Sequence, residues 1–356
     1  MPMLSALDRL RVFLRPPGKG LFTLSTGGGY ASGLLRTLYG SDAAPQVEKA
    51  WEDQLARVRR ARIIVIGVPS DTGAGIMRGA NFGPIGIREA LLRSGPYPKE
   101  VLDLGDVLCI PQLLHDEMLS DEQIKTCRAV LYPGLADALP VSPLSICENV
   151  LYTIAELNPG ARMILLGGDH SVGWPAVLGC LKRFGNDFGV LHFDAHPDLM
   201  EHRLGIKYCF GTWAFHAVQR MRPQSLVQVG IRTTLKTKEF WESKFPVRQF
   251  WAQEALAQPT ATADAIIKHF QSRGLKRIYI SNDIDGTDIL EAPATGTPEA
   301  SGLHAEFVEG LIRRVHETFE VIGGDVVEVA PPLSGSREFA QEKTCQLAAR
   351  YVKALF

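Results

Sequence analysis

Six side chains in this sequence have the composition of a site for two divalent metal ions. His170 lies in Gly167-Gly168-Asp169-His170-Ser171. Asp194, His196 and Asp198 lie in Asp194-Ala195-His196-Pro197-Asp198, and Asp283 and Asp285 in Ser281-Asn282-Asp283-Ile284-Asp285. Four carboxylates and two imidazoles suit oxygen-preferring ions such as Mn²⁺. A pair of such ions can hold a water, lower its pKa and aim it at a substrate.

Each motif has a plainer reading beside the chemical one. In an extended segment residues 194, 196 and 198 fall on one side, so three ligands converge with little distortion; the alternative is an Asp capping a following helix. Asp283 and Asp285 repeat the alternation, and carboxylates that close disfavour each other's ionisation without a cation. One Asp as a cap and the other in solvent is the alternative. Asp288 is a cap, or an acceptor that holds a ligand imidazole. His170 follows two glycines that permit close backbone approach or positive φ, and its case rests on the other five. Glu328 also ends a strand-like run. Aimed into a metal cleft it suits a planar cation bound through two parallel hydrogen bonds; the alternative is a surface ion pair.

Short runs rich in Val, Ile and Leu over 63–68, 163–166, 189–193, 227–231, 278–280 and 325–329 fit strands buried on both faces of a parallel sheet. Segments of helical length and amphipathic spacing lie between them, including 262–273, with Thr262 as its N-cap, and 305–319. The alternation predicts a layered α/β domain with a central, mainly parallel sheet. Ligands gather outside the carboxyl ends of such strands, and all three clusters follow a strand. Residues 1–60 read as an N-terminal extension packed on the core, with loops at Pro16-Pro17-Gly18-Lys19-Gly20 and Gly27-Gly28-Gly29 and a helix over 46–59. Residues 61–356 form the α/β domain, with an inserted helix and loop around 111–140.

The formal net charge of −1 gives no pull toward nucleic acid or an anionic membrane. Arg59-Arg60-Ala61-Arg62 reads as the solvated end of a helix. The six cysteines form no CxxC pair and no ladder of short spacings, the pattern of reduced thiols in a cytoplasmic protein. No apolar run nears the roughly eighteen residues of a membrane span, and no secretory signal is expected. A cytoplasmic protein acting on a small molecule is expected, with neither nucleic acid nor membrane as partner.

The same residues carry a resemblance to the ureohydrolase superfamily of arginases, agmatinases and related guanidino-compound hydrolases, nearest to its agmatinase-like members. The three clusters occur in the family's order. Gly67-Val68-Pro69-Ser70-Asp71 and Arg78-Gly79-Ala80-Asn81-Phe82-Gly83-Pro84 match before them; Ala294-Thr295-Gly296-Thr297-Pro298 and Asp325-Val326-Val327-Glu328 match after them. The resemblance implies a three-layer α/β/α, arginase-like fold, a homo-oligomer (trimer or hexamer), and two Mn²⁺ ions, with Ni²⁺ as an alternative. It implies that His170, Asp194, Asp198 and Asp283 bind or bridge one ion, and that His196 and Asp285 complete the other. Glu328 would orient the substrate guanidinium while a hydroxide from the metal pair attacks its carbon, releasing urea and an amine. A resonance-stabilised cation is a poor electrophile, so both a ready hydroxide and an anchored plane are needed.

Two departures stand out. Relatives place a proton-shuttling His before a Gly soon after the second cluster, whereas Cys209-Phe210-Gly211-Thr212 puts Phe210 there. His202 and His216 are the candidates for that catalytic role. Asp288-Ile289 stands where relatives have Asp-Pro. Just beyond Asp198, Glu201 suits a distal cation and Arg203 a distal carboxylate, so one loop permits opposite substrates. An agmatinase-like hydrolase is expected. The alternatives are a formimino-, guanidino-acid or arginine hydrolase of the same superfamily, or a non-catalytic scaffold.

Overall fold

The structure, a computed structural model, describes residues 4–23, 29–72, 76–135, 138–336 and 338–356. At its centre is a sheet of nine strands: β1 (Leu14–Arg15), β2 (Ile63–Val68), β3 (Val101–Val107), β4 (Arg162–Gly167), β5 (Gly189–Phe193), β6 (Leu226–Val229), β7 (Val247–Phe250), β8 (Arg277–Asp283) and β9 (Glu320–Val327). The order is β1-β3-β2-β4-β9-β8-β5-β6-β7. β1 runs antiparallel to β3, and every other neighbouring pair is parallel.

Alternation along the strands accounts for the layering. Ile64, Ile66 and Val68 of β2 enter one apolar core, while Ile63 and Val65 enter another on the opposite face. β4 divides in the same way, Met163 and Leu165 against Ile164 and Leu166. A sheet apolar on both faces must be covered by helices on both. That is the expected three-layer α/β/α arrangement.

Each expected strand overlaps an observed one; β1, β3 and β7 lie outside the expected set. In β3 two aspartates interrupt the apolar run. They are buried because Arg88 serves both: Nε and Nη2 donate to Asp103 at 2.8 and 2.9 Å, and Nη1 donates to Asp106. One expected cap is corrected. The helix at Pro259–Ser272 starts before Thr262, which is buried in its first turn with Oγ1 donating to the Glu254 carbonyl at 3.3 Å. Pro259 sets the start, because the first helical N–H has no partner to lose.

Residues 4–60 add β1 to the sheet edge as well as packing on it. Leu10, Phe13, Trp51 and Leu55 share one of the two sheet cores, and the Trp51 indole N–H donates to the Leu104 carbonyl at 2.9 Å. Gly27 and Gly28 lie outside the described residues. Within 111–140 the helix Asp121–Leu131 begins at a Ser120/Gln123 capping box, and the Asp116 carboxylate closes the insertion by accepting from Ser142 N at 2.8 Å. Among the described residues no helix is long and apolar enough to cross a membrane.

Candidate metal centre

Four adjacent strands, in the order β4-β9-β8-β5, deliver the site. Leu166 is level with Val326, Val326 with Asn282, and Asn282 with Phe193. One or two residues past that row the four chains reach Gly167-Gly168, Glu328, Asp283 and Asp194, all at carboxyl ends. Gly168 passes so close to the segment after β2 that a Cβ there would overlap the Ser70 carbonyl oxygen. Close approach, and not positive φ, is why glycine stands there. His170 then opens a short 3₁₀ turn, and its N–H donates to Glu328 Oε1 at 2.8 Å.

The six candidate ligands meet. His170 Nδ1 lies 3.0 Å from Asp283 Oδ2, 3.2 Å from Asp194 Oδ2 and 3.4 Å from Asp198 Oδ2. His196 Nδ1 lies 3.1 Å from Asp285 Oδ2 and 3.4 Å from Asp194 Oδ1. Asp194 therefore turns one oxygen to each imidazole. All but His196 are buried. The route differs from the expected alternation. β5 ends at Phe193, and Asp198 sits at φ 51°, a left-handed conformation uncommon outside glycine. β8 ends at Asp283, whose carboxylate caps the next turn by accepting from Asp285 N at 2.9 Å. Turns at strand ends, not period-two strands, bring the ligands together.

The electrostatics favour cations. Carboxylate oxygens of Asp194 and Asp198 lie within 4.8 Å of each other. Two unit charges at that distance repel by about 3–4 kcal/mol at an effective dielectric near 20. Burial first, then neighbouring carboxylates, push Asp198, Asp283 and Glu328 well above the ordinary carboxylate range. Burial opposes charge on His196, yet Asp194 and Asp285 outweigh it and raise it to about 12. His170 Nδ1 is buried without a hydrogen-bond partner among the surrounding carboxylates. Its Nε2, in contrast, lies 3.0 Å from Ser281 Oγ, which donates to Asp325 Oδ1 at 2.9 Å; Tyr279 holds Asp325 Oδ2 at 2.8 Å. With Ser281 donating onward, His170 Nε2 bears a proton. Although burial opposes charge on the ring, Asp194 and Asp283 outweigh it and raise the His170 pKa, so Nδ1 presents its lone pair to the cluster only once a cation displaces its proton. An oriented lone pair amid hard oxygen donors fits a pair of divalent ions.

Several supporting residues went unread in the sequence. His192 holds Asp194 and is itself held by Gln228, the Trp213 indole donates to Asp198 Oδ2 at 2.9 Å, and Thr297 Oγ1 donates to Asp285 Oδ2 at 2.9 Å. His192 had one signal, its place two residues before Asp194. Other sequence candidates stand elsewhere. His216 Nε2 lies 2.8 Å from the Lys207 carbonyl with its ring against Tyr208 and Trp174, and His202 Nδ1 accepts from Gly205 N in an exposed turn. Neither pairs with the cluster among the described residues. Asp288 caps a turn through Leu290 N and Gly302 N, both at 2.9 Å, and holds no ligand imidazole. Phe210 carries the Arg203 guanidinium 4.9 Å from its ring centre.

Paired His/Asp clusters at the carboxyl ends of adjacent parallel strands have the donor set of a binuclear metal hydrolase. The sequence profile of the arginase family matches residues 61–356. A protein named putative agmatinase 1 from Schizosaccharomyces pombe is 32% identical over 311 residues, covering 80% of this chain and 74% of that one. The guanidinobutyrase of Pseudomonas aeruginosa is 31% identical over 278 residues, covering 75% and 78%. Among solved structures, proclavaminate amidino hydrolase from Streptomyces clavuligerus matches at a TM-score of 0.65 with 27% identity, covering 83% of this chain and 91% of that one. The chain belongs to the arginase family and is a metal-dependent hydrolase of guanidino C–N bonds.

Proposed function

We propose that this protein is an agmatinase-like hydrolase using two Mn²⁺ ions, which His170, Asp194, Asp198 and Asp283 together with His196 and Asp285 would hold. The observation that carries this reading is Asp194, with one oxygen toward each imidazole (3.2 and 3.4 Å). When bound, the ions supply an activated water and positive charge for the tetrahedral centre that develops on the guanidinium carbon. The chain's own residues position the rest. The His170 N–H fixes Glu328 Oε1, so that carboxylate stands ready beside the cluster to orient a planar guanidinium by charge-assisted hydrogen bonds. Gly296 passes beside Glu328 where a side chain would not fit, since a Cβ there would lie 2.7 Å from the Met77 carbonyl oxygen and 3.9 Å from Glu328 Oε2. Phe210 has no proton to give, so the leaving amine must take its proton from another group.

Agmatine is the first substrate of this reading, supported by resemblance to proteins named agmatinases. Arg203 favours a second: a guanidino acid. Its guanidinium rests on Phe210 and pairs with no carboxylate among the described residues, and one relative is named a guanidinobutyrase. Six free thiols support a cytoplasmic setting, and the family resemblance supports a homo-oligomer. The test is urea release from agmatine, arginine, guanidinobutyrate, guanidinopropionate and free guanidine, after loading with Mn²⁺ and separately with Ni²⁺. Urea from one of these, lost in Asp194→Ala, upholds the proposal and names the substrate. Metal bound without urea from any would move the chain to formimino chemistry, and neither metal nor urea would leave a scaffold.

A further inference from the structure

A second concavity lies at the opposite end of the sheet. A cavity of about 460 Å³ opens at the amino ends of β2, β4 and β9, lined by Arg59, Arg60, Arg62, Arg162 and Arg183 with two glutamates, Glu100 and Glu320. The length of β2 and β4 separates it from the metal centre, on the order of 20 Å at ~3.3 Å per residue.

Two of the arginines have work within the fold. Arg162 Nη1 donates to the carbonyls of Leu355 and Phe356 at 2.9 and 2.8 Å, and Arg183 Nη2 to those of Pro159 and Ala161 at 2.7 and 2.8 Å. Cations are favoured beside such carbonyls near helix C-termini. Arg183 nevertheless keeps Nε buried and without a partner. Arg59, Arg60 and Arg62 are exposed, and among the described residues their side chains form no ion pair. They are not on a loose tail: Asn158 Nδ2 donates to the carbonyls of Val58 and Ala61, both at 2.8 Å, and anchors the turn that presents them. Glu320 is engaged by Arg277 at 3.1 Å. Burial, followed by the facing charge of Arg62, lowers the Arg162 pKa. The net charge of −1 means this gathering of guanidiniums does not follow from overall basicity.

We propose that this cavity binds a small multivalent oxyanion, a phosphate ester or a polycarboxylate. Planar guanidinium forks match both groups bidentately, and the volume falls in the range of small-molecule sites. The concavity faces away from the metal centre, so an occupant does not compete with substrate. The experiment titrates the metal-loaded protein with pyranine, a fluorescent trisulfonate, and follows anisotropy at low ionic strength. Saturable binding of one dye per chain is expected, screened by added NaCl. It should weaken roughly tenfold or more in Arg59→Gln/Arg60→Gln/Arg62→Gln, and by less in Arg62→Gln alone. Matching circular dichroism and thermal midpoints show that these variants fold. Competition by inorganic phosphate against trimesate, a benzene tricarboxylate, then separates the two sources. Unsaturable binding, or equal affinity in wild type and the triple variant, overturns the proposal.

Discussion

His192 Nε2 donates to Asp194 Oδ2 at 2.7 Å, and that same oxygen lies 3.2 Å from His170 Nδ1. Gln228 Nε2 donates to His192 Nδ1 at 3.1 Å, which places the imidazole proton on Nε2. Burial lowers the His192 pKa, so the ring is neutral. Although His192 is near enough to be counted with the ligands, its Nε2 lone pair is taken by a proton. We assign it to positioning Asp194 and not to binding metal. Partners of this kind set ligand orientation and basicity.

His192→Phe keeps the ring volume and deletes this hydrogen bond. Metal affinity should fall about 10–100-fold, with the fold retained. Calorimetric titration of Mn²⁺ into the metal-free variant reads this. Unchanged affinity would show that Asp194 needs no such support.

The proposal gives Asp194 and His196 different numbers of ions to serve. Asp194→Ala removes the carboxylate that faces both imidazoles and should leave the protein unable to hold the pair. His196→Ala should cost one ion and keep the other, because Asp198, Asp283 and the Oδ2 side of Asp194 still face His170. Metal analysis per chain distinguishes the two; equal loss in both would contradict the assignment.

Glu328 is assigned to substrate and not to metal. Glu328→Gln keeps an acceptor for the His170 N–H but loses the charge that pairs with a guanidinium. Metal content should be unchanged and kcat/KM should fall by about a hundredfold or more. A variant that loses metal instead would place Glu328 among the ligands.

Metal affinity should fall with falling pH. Burial and mutual repulsion raise Asp198 and Asp283 above their unfolded values, so the metal-free folded state holds protons that incoming ions must displace. For these two groups the metal-free protein is favoured below the ordinary carboxylate pKa, and that advantage is lost as pH rises through the raised values. Metal-bound protein has the opposite sign, since the ions need the ionised groups and acid removes them. The Mn²⁺-dependent rise in melting temperature should therefore shrink on acidification; a constant rise would contradict the ligand set.

The candidate ligands were legible because chemistry and strand ends coincide in the chain. His170, Asp194 and Asp283 each follow an apolar run that has little choice but to be a buried strand. What places them was less legible. The left-handed turn at Asp198 has no local signature, and Asp there reads as one more alternating residue. β3 was hidden by Asp103 and Asp106, whose burial depends on Arg88 from a separate helix. His192, Trp213 and Thr297 support ligands through contacts set by the tertiary fold, and only His192 lies near its partner in sequence. His202 and His216 attracted attention as the imidazoles nearest Phe210, but proximity in the chain did not bring them to the cluster.

The most direct test is to titrate activity against bound metal. Metal-stripped protein is reloaded with Mn²⁺ in steps, and ions per chain and urea release on the preferred guanidino substrate are read from the same samples. The expected result is no urea without metal and full activity when two ions are bound per chain. Full activity with no ion or with one, or two ions bound with no urea from any guanidino compound, would contradict a binuclear guanidino hydrolase.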